Sequence, residues 1–217
     1  MRSDRRGGRT PEPPVHVAAA DCERCRTGPI AQPANTWSSL AYVVAGAVLL
    51  RRSGLRVPGR AAPTAREAVG WAAVATGLGS VAYHGPGTAA GRYAHDASLI
   101  SLLGTMAVDD LEVLAGRDAS PAALPVIPTV AALAAHPRSS ATTQVVAGAL
   151  AAVAGTGRAV RHGGAPVVGI GLMAVGAALH ALGRTGGPLC RPGSRLQPHA
   201  VWHVATAVSL VLRDDRG

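Results

Sequence analysis

The segment Pro198-His199-Ala200-Val201-Trp202-His203 sets two imidazoles at i and i+4, on one face of a helix. At that spacing two ring nitrogens reach one metal ion. Ser80 and His84 form a second i, i+4 pair in Gly79-Ser80-Val81-Ala82-Tyr83-His84, and Asp96 follows in Tyr93-Ala94-His95-Asp96. Three neutral histidines with an open fourth position make a catalytic zinc site, beside which a carboxylate moves protons and a hydroxyl donates to an oxyanion. The candidates are His84, His199 and His203 as ligands, Asp96 as acid-base group and Ser80 as donor. Any one of these histidines alone is better read as a helix-end polar group satisfied by headgroups, loops or a neighbour. The weight lies in the set.

Something must bring these residues together, and the composition says what. Of 217 residues 15% are charged and 48% hydrophobic, against roughly 25% charged in a typical globular chain. That deficit excludes an ordinary soluble enzyme and points to a lipid solvent. The chain has 27 Gly and 16 Pro, lacks Phe and Lys, and carries its net charge of +9 on arginine alone, a bias that a GC-rich coding sequence explains. The arginines fall between apolar blocks as loop residues and form no stripe with stacking aromatics, so a nucleic-acid partner is excluded. No protein partner is evident.

Seven apolar stretches follow, over 33–50, 68–84, 95–114, 121–135, 141–160, 165–182 and 198–212. Several fall short of the ~20 residues that cross a bilayer, so their ends must take in loop residues. Small residues crowd the interiors, as close helix contact in lipid requires. The rival reading, a soluble bundle of Ala-rich helices, is weakened because most stretches lack a charged face. The expected fold is therefore all-α, a polytopic seven-helix membrane bundle over 21–213, with a disordered basic tail over 1–20 and a C-terminal tail over 214–217. No cleaved signal peptide is expected. Seven alternating passes put the end of the second and the starts of the third and seventh at one face, which gathers Ser80, His84, Asp96, His199 and His203 at one depth. His95 is at most a neighbour of Asp96, and His16, His136, His162 and His180 join less well. Asp109, Asp110 and Glu112 mark the opposite interface, some 20 Å along the third helix. Outside the distal tail, arginines number seven on the N-terminal side and ten on the other, which favours a cytoplasmic C-terminus in a bacterial plasma membrane.

Asn35-Thr36-Trp37-Ser38-Ser39, Gly79-Ser80 with His84, Asp96, and His199-Ala200-Val201-Trp202-His203 resemble the alkaline ceramidase family. That family belongs to a superfamily of seven-helix membrane hydrolases that includes the progestin and adipoQ receptors. The resemblance covers about 22–212. It implies zinc held by His84, His199 and His203, with Asp96 and Ser80 at its water, and a lipid amide as substrate. The chemistry agrees, because zinc lowers the pKa of water to about 7 and polarises a carbonyl.

The resemblance also implies calcium bound by acidic residues of the N-terminal segment. Asp21, Glu23 and Asn35 are the candidates, although Gln32 stands where the family has glutamate, and pairing of Asp21 and Glu23 with Arg24 or Arg26 is the rival account. Three cysteines are too few for a disulfide framework, and one pair remains open. The resemblance implies a Cys22 to Cys190 bridge, leaving Cys25 free. The leading function is an integral-membrane zinc amidohydrolase cleaving ceramide or a related N-acyl lipid. The alternatives are a receptor or sensor with a structural zinc, and a haem-binding electron carrier, which leaves Ser80 and Asp96 unexplained.

Overall fold

The computed structural model describes residues 16–53, 64–117 and 124–214. Among these, helices form α1 (Pro33–Ser38), α2 (Leu40–Arg52), α3 (Ala65–His84), α4 (Ala89–Ala115), α5 (Val126–Ala134), α6 (Ser140–His162), α7 (Gly164–Leu182) and α8 (Pro198–Arg213), with a 3-10 turn at Ala19–Asp21 and no strand. The first apolar stretch is interrupted only at Ser39. Ser38 and Ser39 both donate to the Asn35 carbonyl (3.1 and 2.7 Å), the back-bonding by which serine bends a helix. Local chemistry sets the other boundaries. Thr64 and Glu67 cap α3 reciprocally. Thr88 accepts from Gly91 N–H at the start of α4, whose end turns through Gly116 in the left-handed region (φ 65°).

Contacts at the two ends establish the alternating direction of the passes. At one end, Ser140 at the start of α6 meets Asp96 near the start of α4, and His180 near the end of α7 meets His199 at the start of α8. At the other, late α4, late α6 and the end of α8 come together through Asp109, Asp110, Arg158 and Arg213. Between the ends, Tyr42, Leu49, Val69, Leu102, Met106 and Leu210 form the core of α2, α3, α4 and α8. Helices α3 and α4 touch backbone to backbone, because a Cβ on Gly79 would lie 2.9 Å from the His95 backbone. That closeness brings Ser80 and His84 level with the start of α4.

Among the described residues one helix, Gly164–Leu182, is long and apolar enough on its own to cross a membrane, with mean hydropathy 1.9. The others are diluted by Gly, Ala, Ser and Thr or are short; α5 covers nine residues, and 121–123 of its expected stretch lie outside the described residues.

Three sequence-based boundaries and assignments change. Residues 16–20 are packed, not tail: Ala18 is fully buried, and the Val17 carbonyl accepts from Tyr83 (3.1 Å). Residues 1–15 and 215–217 lie outside the described residues. Asp214 is buried and pairs with Arg66 and Arg52. Arg158 and Arg213 are not loop residues. Arg158 donates to Asp109 (3.0 Å) and Asp110 (3.2 Å), while Arg213 donates to both carboxylates of the same pair (2.7 to 3.1 Å). A guanidinium can be buried here because two carboxylates meet two guanidinium groups. Arg213→Met leaves Asp110 and Asp109 short of a partner and is expected to lower stability by about 3–5 kcal/mol, read from thermal or denaturant unfolding of purified protein.

Candidate metal centre

The histidine end is assembled from the outside inward, beginning with Gln32. Its side chain is fully buried, and its NH2 group donates to the carbonyls of Ala18 and Glu23 (both 3.0 Å). Those two acceptors orient the amide, so its oxygen is the atom 2.8 Å from Nδ1 of His84. An amide oxygen only accepts. His84 therefore carries its proton on Nδ1, and Nε2 keeps a lone pair in a buried position with no hydrogen-bond partner.

His203 follows the same logic. Its Nδ1 lies 2.9 Å from Ser38 Oγ and 3.4 Å from Ser39 Oγ. Both hydroxyl protons are committed to the Asn35 carbonyl, which leaves their lone pairs to accept from Nδ1–H. His199 has Nδ1 3.0 Å from His180 Nδ1 and 3.5 Å from the Asp21 carboxylate, and its Nε2 is buried without a partner. Burial pushes the Asp21 carboxyl up to about 6, opposed by the positive charge of Arg184.

His84 and His203 thus direct a protonated Nδ1 outward and His199 turns its Nδ1 to His180 and Asp21, while one ring nitrogen from each of the three lies within 4.8 Å of the others. Ring centroids are 4.6 to 5.3 Å apart. A buried lone pair without a donor is costly; among the described residues His84 Nε2 and His199 Nε2 are two such atoms, and their convergence with a ring nitrogen of His203 is what a cation with imidazole preference would relieve. The donor set, all neutral nitrogen with outer hydrogen-bond partners, fits zinc. A second group, Asp21, His180 and His199, shares His199 with the first, so Asp21 and His180 serve as the outer partners of His199.

Ser80 and Asp96 line the same cavity as His199 and His203. The Ser80 hydroxyl is buried and has no partner. Asp96 accepts from Ser140 Oγ (2.6 Å) and lies 2.9 Å from His95 Nδ1, with Arg92 at 3.8 Å. His84, His199 and His203 are thus together, Ser80 lies level with the start of α4 through the Gly79 contact, and His95 stands beside Asp96.

The calcium grouping is divided. Both Glu23 carboxylate oxygens accept from the first turn of α1, at Ala34 N–H and Asn35 N–H (2.9 Å each). Asp21 turns instead to His199. Asn35 Oδ1 is buried without a hydrogen-bond partner, but the two carboxylates serve other elements and make no cage around it. Cys22 and Cys190 are bonded, with Cα atoms 5.5 Å apart, and Cys25 is free.

Sequence reasoning missed Gln32, Ser38, Ser140 and His180. The rule of alternating passes contained the signal for two of them, since the start of the fifth stretch and the end of the sixth reach the same face as Asp96. Comparison with known proteins adds no relative: no protein-family model matches the chain, and no curated protein matches it.

Two measurements check this account. Gln32→Leu removes the acceptor that holds His84 in its tautomer, and zinc affinity of the purified protein is expected to fall about 10–100-fold, measured by competition with a chelating dye. Cys22→Ser opens a closure spanning 168 residues and is expected to cost about 2–5 kcal/mol of stability; an unchanged unfolding midpoint would contradict it.

Proposed function

We propose that this chain is a multi-pass membrane hydrolase that uses zinc at His84, His199 and His203 to cleave the amide bond of ceramide or a related N-acyl lipid into a fatty acid and an amine. The observation that carries the reading is the convergence of three buried imidazoles, each with its outer nitrogen occupied, beside a cavity that His199 and His203 line together with Ser80 and Asp96.

A lipid setting is supported by the outer surface. Val153 and Val160 of α6, Leu133 of α5 and Val175 of α7 point large apolar side chains away from the bundle, a surface that water disfavours over seven passes. Ala152, Ala174 and Ala177 line the cavity and are also exposed, so the cavity opens sideways between α6 and α7, where a lipid would enter from a bilayer. The disulfide lies at the histidine face, which favours that face on the oxidising side. A cytoplasmic C-terminus agrees with this orientation.

When bound, zinc would polarise the amide carbonyl and make water acidic near neutral pH. The chain's own groups divide the remaining work. Ser80 Oγ, buried and without a competing acceptor, donates to the carbonyl oxygen as charge develops there. Asp96 accepts a proton from the attacking water and delivers it to the departing nitrogen. Ser140 and His95 hold its carboxylate in place. The apolar walls exclude other water.

Hydrolysis of long-chain N-acyl lipids by purified protein, with bound zinc counted for each variant, tests the scheme. Asp96→Ala is expected to keep zinc and lose about 10²–10⁴ in rate, and Ser80→Ala about 10²–10³. His203→Ala is expected to lose zinc with activity. Unchanged turnover in Asp96→Ala rejects the proton route. Wild-type protein that binds zinc and turns over no lipid amide rejects the hydrolase reading in favour of a receptor or sensor, and a haem absorption band would favour an electron carrier.

A further inference from the structure

One cavity of about 800 Å³ runs between α4, α6, α7 and α8. On α4 its lining residues Arg92, Asp96, Leu99, Leu103, Met106 and Asp110 recur in steps of three and four, a single stripe along one helix face, with His95 beside it. Between Asp96 and Asp110 that stripe is apolar. Residues 96 and 110 are fourteen positions apart, about 21 Å of helix at 1.5 Å per residue. Helix α8 repeats the interval, for His199 and Arg213 both line the cavity. Two independent helices thus place the histidine end and the Asp–Arg network at the same separation, and the lining is mostly apolar, its uncharged polar side chains including Tyr42, Thr76, Gln144, Thr156 and Ser209.

We propose that the buried network of Asp109, Asp110, Arg158 and Arg213 is the floor of a chain-length gauge. The cavity takes one unbranched hydrocarbon chain, with its polar end at the histidines and its methyl end stopped by the network. Which end reacts rests on the function proposed above; the gauge itself rests on the cavity.

The floor is firm because each carboxylate accepts from both guanidinium groups, although Arg158 Nη2 is buried without a partner among the described residues. A methyl group pushed among them would separate buried guanidinium and carboxylate groups and offer nothing in return. An extended chain with carbon–carbon bonds of ~1.5 Å advances about 1.25 Å per carbon, so ~21 Å admits roughly sixteen carbons.

Two glycines of α6 mark depths along the gauge. A Cβ on Gly155 would lie 3.3 Å from the Asp110 carboxylate and 3.2 Å from Ile170, at the floor itself. Gly148 stands seven residues nearer the histidine end, about 10 Å by helix rise. A Cβ there would meet only Leu103, at 3.9 Å. A larger side chain at 148 therefore extends into space that the chain of a ligand occupies.

The test is displacement of a fluorescent fatty acid by unbranched saturated fatty acids of graded length, using the full chain in nanodiscs, with zinc content and melting temperature recorded alongside. In wild type, affinity should rise about fourfold per added carbon and stop rising near roughly sixteen carbons. Gly148→Leu should keep its zinc and move that limit down by about eight carbons, the equivalent of ~10 Å. Gly148→Ala, which adds only an ordinary contact, covers the case in which leucine prevents folding, and should weaken the longest chains selectively.

Affinity that climbs without a limit would overturn the gauge and show the tail leaving between α6 and α7. Equal weakening at all lengths in a folded Gly148 variant, or no binding at any length, would also overturn it. Because the readout is binding, a clear limit in protein without turnover sinks the hydrolase reading alone, and turnover without a limit sinks the gauge alone.

Discussion

A polar side chain buried in a helical bundle must find a partner within it, either another polar side chain or a backbone carbonyl such as those that Gln32, Ser38 and Ser39 reach. Buried charged residues in this chain accordingly gather at two levels, and the buried polar groups between them are hydroxyls such as those of Tyr42, Thr76, Thr105 and Thr206. One level is made of imidazoles, hydroxyls and amides with Asp21 and Asp96 among them, and the other of two carboxylates against two guanidinium groups. The histidine level leaves lone pairs of His84 and His199 unsatisfied and so retains capacity for a cation. At the other level each carboxylate is shared by both guanidinium groups.

Gln32 shows how far one residue can organise such a level. A carboxylate at this position would present acceptors in every direction. The amide has a donor end and an acceptor end, and the two carbonyls that take its protons decide which end His84 sees. Backbone segments on either side of the disulfide-bonded Cys22 are thereby held by the same side chain that sets the tautomer of a proposed ligand. Glu23 makes no comparable link to the histidines, since its oxygens are spent on the first turn of α1.

The order of helices was legible because hydropathy marks where each pass begins and ends, and alternation then predicts which ends meet. Ser80, His84, Asp96, His199 and His203 were found by that argument. The same argument reaches His180 and Ser140, yet a lone histidine at a helix end and a serine at a helix start carry no pattern of their own. Arg158 and Arg213 were misplaced for a related reason: at the edge of an apolar stretch an arginine looks like a loop residue unless its partner is known. Asp109 and Asp110 were already placed at that face, and opposite charge at equal depth was the sign that all four belong together. Gln32 was out of reach, because its role depends on the direction of two carbonyls.

The bond between Cys22 and Cys190 joins the segment before the first helix to the loop before the last. During synthesis, Cys22 must wait until seven helices have been made and the loop carrying Cys190 has emerged beside it. Asp21 and Gln32 belong to the segment that this bond secures. The outer support of the histidines is therefore completed after most of the bundle exists, and a chain truncated before α8 would lack His199 and His203 while still carrying both cysteines. Oxidation alone is thus no certificate of a finished centre; it locks whatever arrangement the preceding helices have reached.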